Sequence, residues 1–214
     1  MWNLTNTGMD IIIPVANDTT LKNGTVQLYG KVGSNSFEVL GSISTILSNE
    51  INANKIISVS GTLIEGLTGF SEGQRIYIKA AMNDRAGNIT EGSQSITEIL
   101  IDETPASITP ISILSSNNNT ALAKVGDTVS VSFTTSENLI DTAATISGQN
   151  AIITSLSGNQ FVAVYVMDES DSEGVIEFEI SFIDAQGNPL NGNNSTTDAS
   201  QVVFDKTKPT LSPV

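Results

Sequence analysis

The chain has 214 residues, 23 acids against 9 bases and a net charge of −14. It contains neither cysteine nor histidine, which removes disulfides, thiolate chemistry, zinc–thiolate sites, the commonest general base and the commonest transition-metal ligand. The acid excess repels phosphate backbones and anionic bilayer surfaces and favours cations, and no apolar run approaches the ~20 residues of a membrane span.

Apolar and polar residues alternate with a period of two almost throughout, the pattern of half-buried strands. In the first half, Val26, Leu28 and Val32 alternate with Gln27, Tyr29 and Lys31, just after the turn pair Asn23-Gly24. Shorter strands are expected at residues 37–40, 56–59 and 63–64, with a weak helical spacing over 43–47. Gly66, Gly69 and Gly73 mark a turn before Ile76, Ile78, Ala80 and Met82, which alternate with Tyr77, Lys79 and Ala81. Residues 96–101 are the expected last strand of this half.

The second half begins with a strand over 108–114 that carries Pro110 and so belongs at a sheet edge. After a polar loop over 115–120, Val129, Val131 and Phe133 alternate with Ser130, Ser132 and Thr134. Strands follow at 144–146 and 152–155, a Gly158-Asn159 hairpin leads into 161–167, and 168–174 is an acidic loop. Ile176, Phe178, Ile180 and Phe182 then alternate with Glu177, Glu179 and Ser181, and 200–204 closes the half. About seven strands per hundred residues, with turns every ten or so, fit an all-β, two-sheet antiparallel sandwich.

Two blocks return at the same phase. Asp84-Arg85-Ala86-Gly87-Asn88 is echoed by Asp184-Ala185-Gln186-Gly187-Asn188, and Ile101-Asp102-Glu103-Thr104-Pro105 by Phe204-Asp205-Lys206-Thr207-Lys208-Pro209. A shared period of about 100 residues predicts two tandem sandwiches placed end to end, residues 1–104 and 105–214. Residues 210–214 read as the start of a linker to a further repeat, and Met1 as the start of an excised piece.

With these elements placed, residues 106–212 resemble a bacterial immunoglobulin-like repeat. The likeness rests on Thr120-Ala121-Leu122-Ala123-Lys124-Val125-Gly126-Asp127-Thr128-Val129 and Phe133-Thr134-Thr135-Ser136-Glu137 at its opening. It continues through Glu173-Gly174-Val175-Ile176, Phe178-Glu179-Ile180, the Asp184 block and the Asp205 block. The first half resembles a divergent immunoglobulin-like or fibronectin-III-like copy, with a seam one residue shorter. The resemblance implies a non-enzymatic stalk or spacer in a large bacterial surface or secreted adhesin, with neighbouring repeats of the same parent chain as its partners. A ligand-binding adhesion module for a glycan or a host protein is the alternative.

The residues to weigh for chemistry are carboxylates. In the Asp-x-x-Gly-Asn blocks, Asp84 and Asp184 are expected to cap the turn backbone while the glycine takes a positive φ. Calcium, a hard cation that takes carboxylate and carbonyl oxygens, has candidate ligands in Asp102, Glu103 and Asp184, with Glu137 nearby. A second candidate set is Asp168, Asp171 and Asp205, flanked by Glu169, Glu173 and Asp127. The competing expectation for residues 168–173 is a solvated charge run. Glu177 and Glu179 share the wet face of a strand and have no cleft to work across. Trp2, Tyr29, Tyr77 and Tyr165 are the candidates for a carbohydrate-stacking platform: Trp2 is expected in the core or as a cap on a preceding module, and Tyr29 and Tyr77, on the polar phase of their strands, to stack across a sheet.

Overall fold

In the computed structural model, which describes residues 1–212, the chain divides into two units, Met1–Thr104 and Pro105–Val214. The expected linker start at 210–214 therefore lies partly outside the described residues. Both units are built almost wholly from β-strands.

The first unit contains β1 (Gly8–Pro14), β2 (Thr25–Val32), β3 (Glu38–Thr45), β4 (Asn54–Ser60), the one-turn helix α1 (Gly61–Glu65), β5 (Arg75–Asn83), β6 (Ile89–Glu91) and β7 (Ile99–Leu100). β1 pairs antiparallel with β4, while β3, β2, β5 and β6 form a second antiparallel sheet in that order, with β7 also on β5. The register Tyr29↔Lys79 and Lys31↔Tyr77 puts Val26, Leu28 and Val32 on the inner face, where they are buried with Leu40, Val59, Ile76 and Ile78.

Three expectations are corrected here. Residues 63–64 lie in α1, because Ile64 and Leu67, three apart, are the buried pair while Leu63 faces out. Residues 43–47 belong to β3 and its end, and the helical look of the spacing comes from a register shift opposite Val26 and Leu28. Of 96–101 only Ile99–Leu100 forms a strand, Ile101 adds an isolated bridge to Trp2, and Ile96 is fully exposed.

The second unit contains β8 (Ile108–Ser115), β9 (Leu122–Ala123), β10 (Thr128–Thr135), β11 (Leu139–Ile146), β12 (Gln149–Asn150), β13 (Ile152–Ser155), β14 (Gln160–Val166), β15 (Gly174–Val175), β16 (Phe178–Asp184), β17 (Pro189–Asn193) and β18 (Val203–Phe204). One antiparallel sheet has the order β13-β14-β10-β8, which places Pro110 on an edge strand as expected; the other has the order β12-β11-β16-β17. A short third sheet joins β15, β18 and β9, the last pair parallel. The two larger sheets share one apolar core: Val129, Val131, Phe133 and Ala163 from the first meet Ile146, Phe178, Ile180 and Phe182 from the second. Phe133 and Phe161 stack at 5.3 Å between ring centroids.

Candidate functional site

Both Asp-x-x-Gly-Asn blocks fold into the same turn. In the first unit, Asp84 Oδ1 accepts the Ala86 and Asn88 amides, each at 2.8 Å, and Asn88 Nδ2 donates to Oδ2 at 2.8 Å. In the second, Asp184 Oδ1 accepts the Gln186 and Asn188 amides at 2.9 and 2.8 Å. In both, the Asp amide donates to the Asn carbonyl, and Gly87 and Gly187 sit at φ 93 and 94, where a side chain is disfavoured. The Asn88 side chain and the surrounding amides hold the Asp84 carboxyl below its ordinary value.

The two copies differ in burial. Asp184 follows Phe178, Ile180 and Phe182 on the inward phase of β16 and has no exposed surface, whereas Asp84 is half-buried. Asp184 Oδ2 is buried and has no hydrogen-bond partner.

The acidic loop is organised around a lysine. Lys206 Nζ donates to the carbonyls of Glu169 and Asp171, both at 2.8 Å. Asp171, buried at the loop's base, accepts the Asp168 amide at 2.7 Å and the Tyr165 hydroxyl at 3.4 Å. Asp168 accepts the Ser170 amide and hydroxyl, which hold its carboxyl below the ordinary value. Glu173 accepts the Thr207 hydroxyl at 2.8 Å and the Lys206 amide at 2.9 Å, and these likewise lower its pKa. Asp205 caps the Thr207 amide at 2.9 Å. Asp127 stands at the same end, its backbone bonded to Met167, and its carboxylate takes Asn117 Nδ2 and the Lys124 amide and ammonium.

Asp102 and Glu103 belong to the first unit. The Asp102 amide donates to the Trp2 carbonyl at 2.8 Å and the Glu103 amide to Glu72 Oε2 at 2.8 Å. Of the candidate ligands, Asp168, Asp171, Asp184 and Asp205 accept backbone amides, and among the described residues no three carboxylates are grouped to hold a metal. The acidic loop does not fit a calcium ion: its inward carbonyls already hold an ammonium. Sequence reasoning missed Lys206, although the signal was present in one of only three bases between residues 105 and 214.

The tyrosine platform is also different from the expectation. Tyr29 and Tyr77 do not stack on each other. Lys79 Nζ lies 5.5 Å from the Tyr29 ring and 4.8 Å from Phe37, and Lys31 Nζ lies 5.0 Å from Phe37 and 5.2 Å from Tyr77. Each lysine is opposite a tyrosine in the β2–β5 register and lies over that unit's Phe37 as well, so each tyrosine ring meets an ammonium and Phe37 is shared by the two lysines. Burial and the Glu98 carboxylate push the Tyr77 phenol above its ordinary value. Trp2 is in the core as expected, 1% exposed. Among the described residues the buried lysine is Lys55, 4% exposed, which donates to the Thr45 carbonyl and to Glu50. No described helix is long and apolar enough to cross a membrane.

No protein-family model and no curated protein matches the chain. Among solved structures, a Ca2+-stabilized adhesin with which an Antarctic bacterium binds ice matches with a TM-score of 0.50 and 13% identity, over 94% of this chain and 50% of that one. A 1.5-MDa bacterial ice-binding adhesin matches at 0.47 and 12% identity, over 94% and 63%. The SGBP-B protein of the Bacteroides ovatus mixed-linkage glucan utilization locus matches at 0.25 and 15%, over 95% and 42%. The chain spans half the length of the Antarctic adhesin structure and shares its fold; at this identity the likeness is one of fold alone.

Proposed function

We propose that the chain is a non-enzymatic pair of immunoglobulin-like modules that serves as a stalk or spacer in a large adhesin at a bacterial cell surface, joined to neighbouring repeats of the same kind. The observation that carries this reading is the recurrence of one carboxylate-capped turn, with the same backbone bonds and nearly the same glycine angle, in two units 100 positions apart (84 and 184). The second unit's sheet order supports it: four strands facing three, plus the short β12, is the immunoglobulin arrangement. The fold shared with a bacterial adhesin supports the setting.

Single-molecule pulling on the whole chain tests the reading. Two unfolding events are expected, each releasing roughly 300–350 Å for ~100 residues at ~3.3–3.6 Å per residue. One event of the summed length, or turnover of any substrate, sinks it.

Calcium stabilisation, a property of the Antarctic adhesin, extends to this chain through Asp184. Its Oδ2 is a buried carboxylate oxygen without a partner, the kind of hard oxygen ligand this cation takes. Thermal unfolding in calcium and in chelator decides the point. The expected shift is several degrees, lost in Asp184→Asn, and a shift within about one degree removes calcium from the reading.

The ladder of Tyr29, Lys79, Phe37, Lys31 and Tyr77 favours a second reading, a module that binds a surface glycan or a host protein through this face. Glycan-array binding that disappears when Tyr29 and Tyr77 are both changed to alanine would select it over the stalk.

A further inference from the structure

The two units differ at one sheet edge. In the second, β10 is flanked by β14 on one side and by β8 on the other, with Val131 opposite Ile113 and Phe133 opposite Ile111. The far edge of β8 is held in turn by hydroxyls: the Ile111 amide donates to Thr197 Oγ1 and the Ile113 amide to Ser200 Oγ, both at 2.9 Å. β8 thereby closes the gap between the two sheets and buries Ile111 and Ile113.

In the first unit, β1 stands where β10 stands in the second. Each strand follows a short segment paired parallel to the unit's last strand: Trp2 opposite Ile101, as Ala123 is opposite Phe204. The Asp102 amide donates to the Trp2 carbonyl at 2.8 Å, as the Asp205 amide does to Ala123 at 2.9 Å. However, β1 pairs with β4 alone. Beyond its free edge lies a groove of about 990 Å³.

The groove is shaped for a strand. One wall takes every residue from Gly8 to Pro14 without alternation, which means that it runs along a backbone edge. Ser93, Ser95 and Thr97 also line the groove, Ser95 Oγ accepting the Ile78 amide at 3.3 Å and donating to the Thr97 carbonyl at 3.1 Å, and Leu28, Ile78 and Met82 give it an apolar floor. Met9 and Ile11, on the inward phase of β1, are only partly buried, whereas Val129 and Val131 of β10 are fully so. The indole N–H of Trp2, also at the groove, is buried without an acceptor.

We propose that this groove is a docking site for an extended, uncharged polypeptide strand that runs antiparallel to β1 and carries apolar residues at alternate positions, the place that β8 occupies in the second unit. Its main chain completes the row of peptide groups on the free edge of β1, and its apolar side chains cover the floor. Its far-edge amides face the side of the groove that carries the Ser93 and Thr97 hydroxyls. A glycan has no exposed aromatic ring to stack on there, since the only one at the groove belongs to the buried Trp2.

The test leaves the protein's own residues unchanged. The whole chain is extended at its amino end, through a flexible linker of about seven residues, by the sequence of β8, which reproduces the order strand, short parallel segment, next strand seen in the second unit. A control extension has serine at the two positions that copy Ile111 and Ile113. Amide hydrogen exchange at residues 8–14 is expected to slow about tenfold or more with the apolar strand and to stay unchanged with the control. No slowing with the apolar strand, or equal slowing with both, overturns the proposal.

Discussion

Lys206 donates its ammonium to the carbonyl of Asp171 at 2.8 Å across 35 positions of sequence, and that bond, with its twin to Glu169, organises a loop of carboxylates. The loop's acids point their charge into turn amides while its carbonyls converge on the one cation. Lys206→Met removes that cation but keeps the aliphatic stem. The second unit is expected to lose about 1 kcal/mol, a fall of roughly 4–8 °C in melting temperature for a module of this size, and residues 168–173 should become open to proteases. Unchanged melting with an uncut loop would show that the lysine is ornamental.

The paired aspartates offer an internal comparison. Asp184→Ala strands the Asn188 amide in a buried setting and is expected to cost the second unit about 1–3 kcal/mol. Asp84→Ala leaves its amides facing water, so the first unit's transition should fall less. Gly87→Ala and Gly187→Ala, at φ 93 and 94, carry the same backbone penalty and should cost alike. Calorimetry of the four variants separates burial from turn geometry. Equal losses for the two aspartates would contradict the burial argument.

Strands were legible where one face is buried and the other wet. β2, β10 and β16 alternate cleanly, and their inner residues are those the pattern nominates; β5 does so as far as Ile78, after which Ala81 is buried and Ala80 and Met82 only partly so. β1 was not, because Ile11-Ile12-Ile13 is a continuous apolar run ending in Pro14 and shows no period. β17 was hidden by Asn191-Gly192-Asn193, which reads as a turn. The capping role of Asp84 and Asp184 followed from turn chemistry alone, since the spacing of a carboxylate two and four residues ahead of its amides is local. The Lys206 contacts are not local, and nothing in residues 168–173 announces which distant base will reach them.

Acid should act on both units in the same direction. The carboxyls of Asp84, Asp127, Asp168 and Glu173 are all held below their ordinary values: by the Asn88 side chain, the Asn117 side chain, the Ser170 amide and the Thr207 hydroxyl respectively, with further donors behind each. A folded pKa below the unfolded one adds stability that is complete above the ordinary carboxylate range and disappears as pH falls through the folded value. With no histidine in the chain, no side-chain type present has its ordinary pKa between roughly 5.5 and 7.5. Melting temperatures are therefore expected to be flat across that interval and to drop below about pH 4. A decline beginning near pH 6 would mean that some other group controls stability.

The separateness of the two modules is open to a direct trial, because the buried apolar residues fall into two clusters that share no member. One contains Ile180, fully buried, and begins at Ala106; the other contains Ile76, fully buried, and ends at Ile101. Truncating a core isoleucine to alanine costs about 2–5 kcal/mol through lost burial and the cavity left behind. If each cluster folds for itself, Ile180→Ala lowers one calorimetric transition and leaves the other in place, and Ile76→Ala does the reverse. If either substitution drags both transitions down together, the chain unfolds as one cooperative body, and the repeat in the sequence does not mark two independent modules.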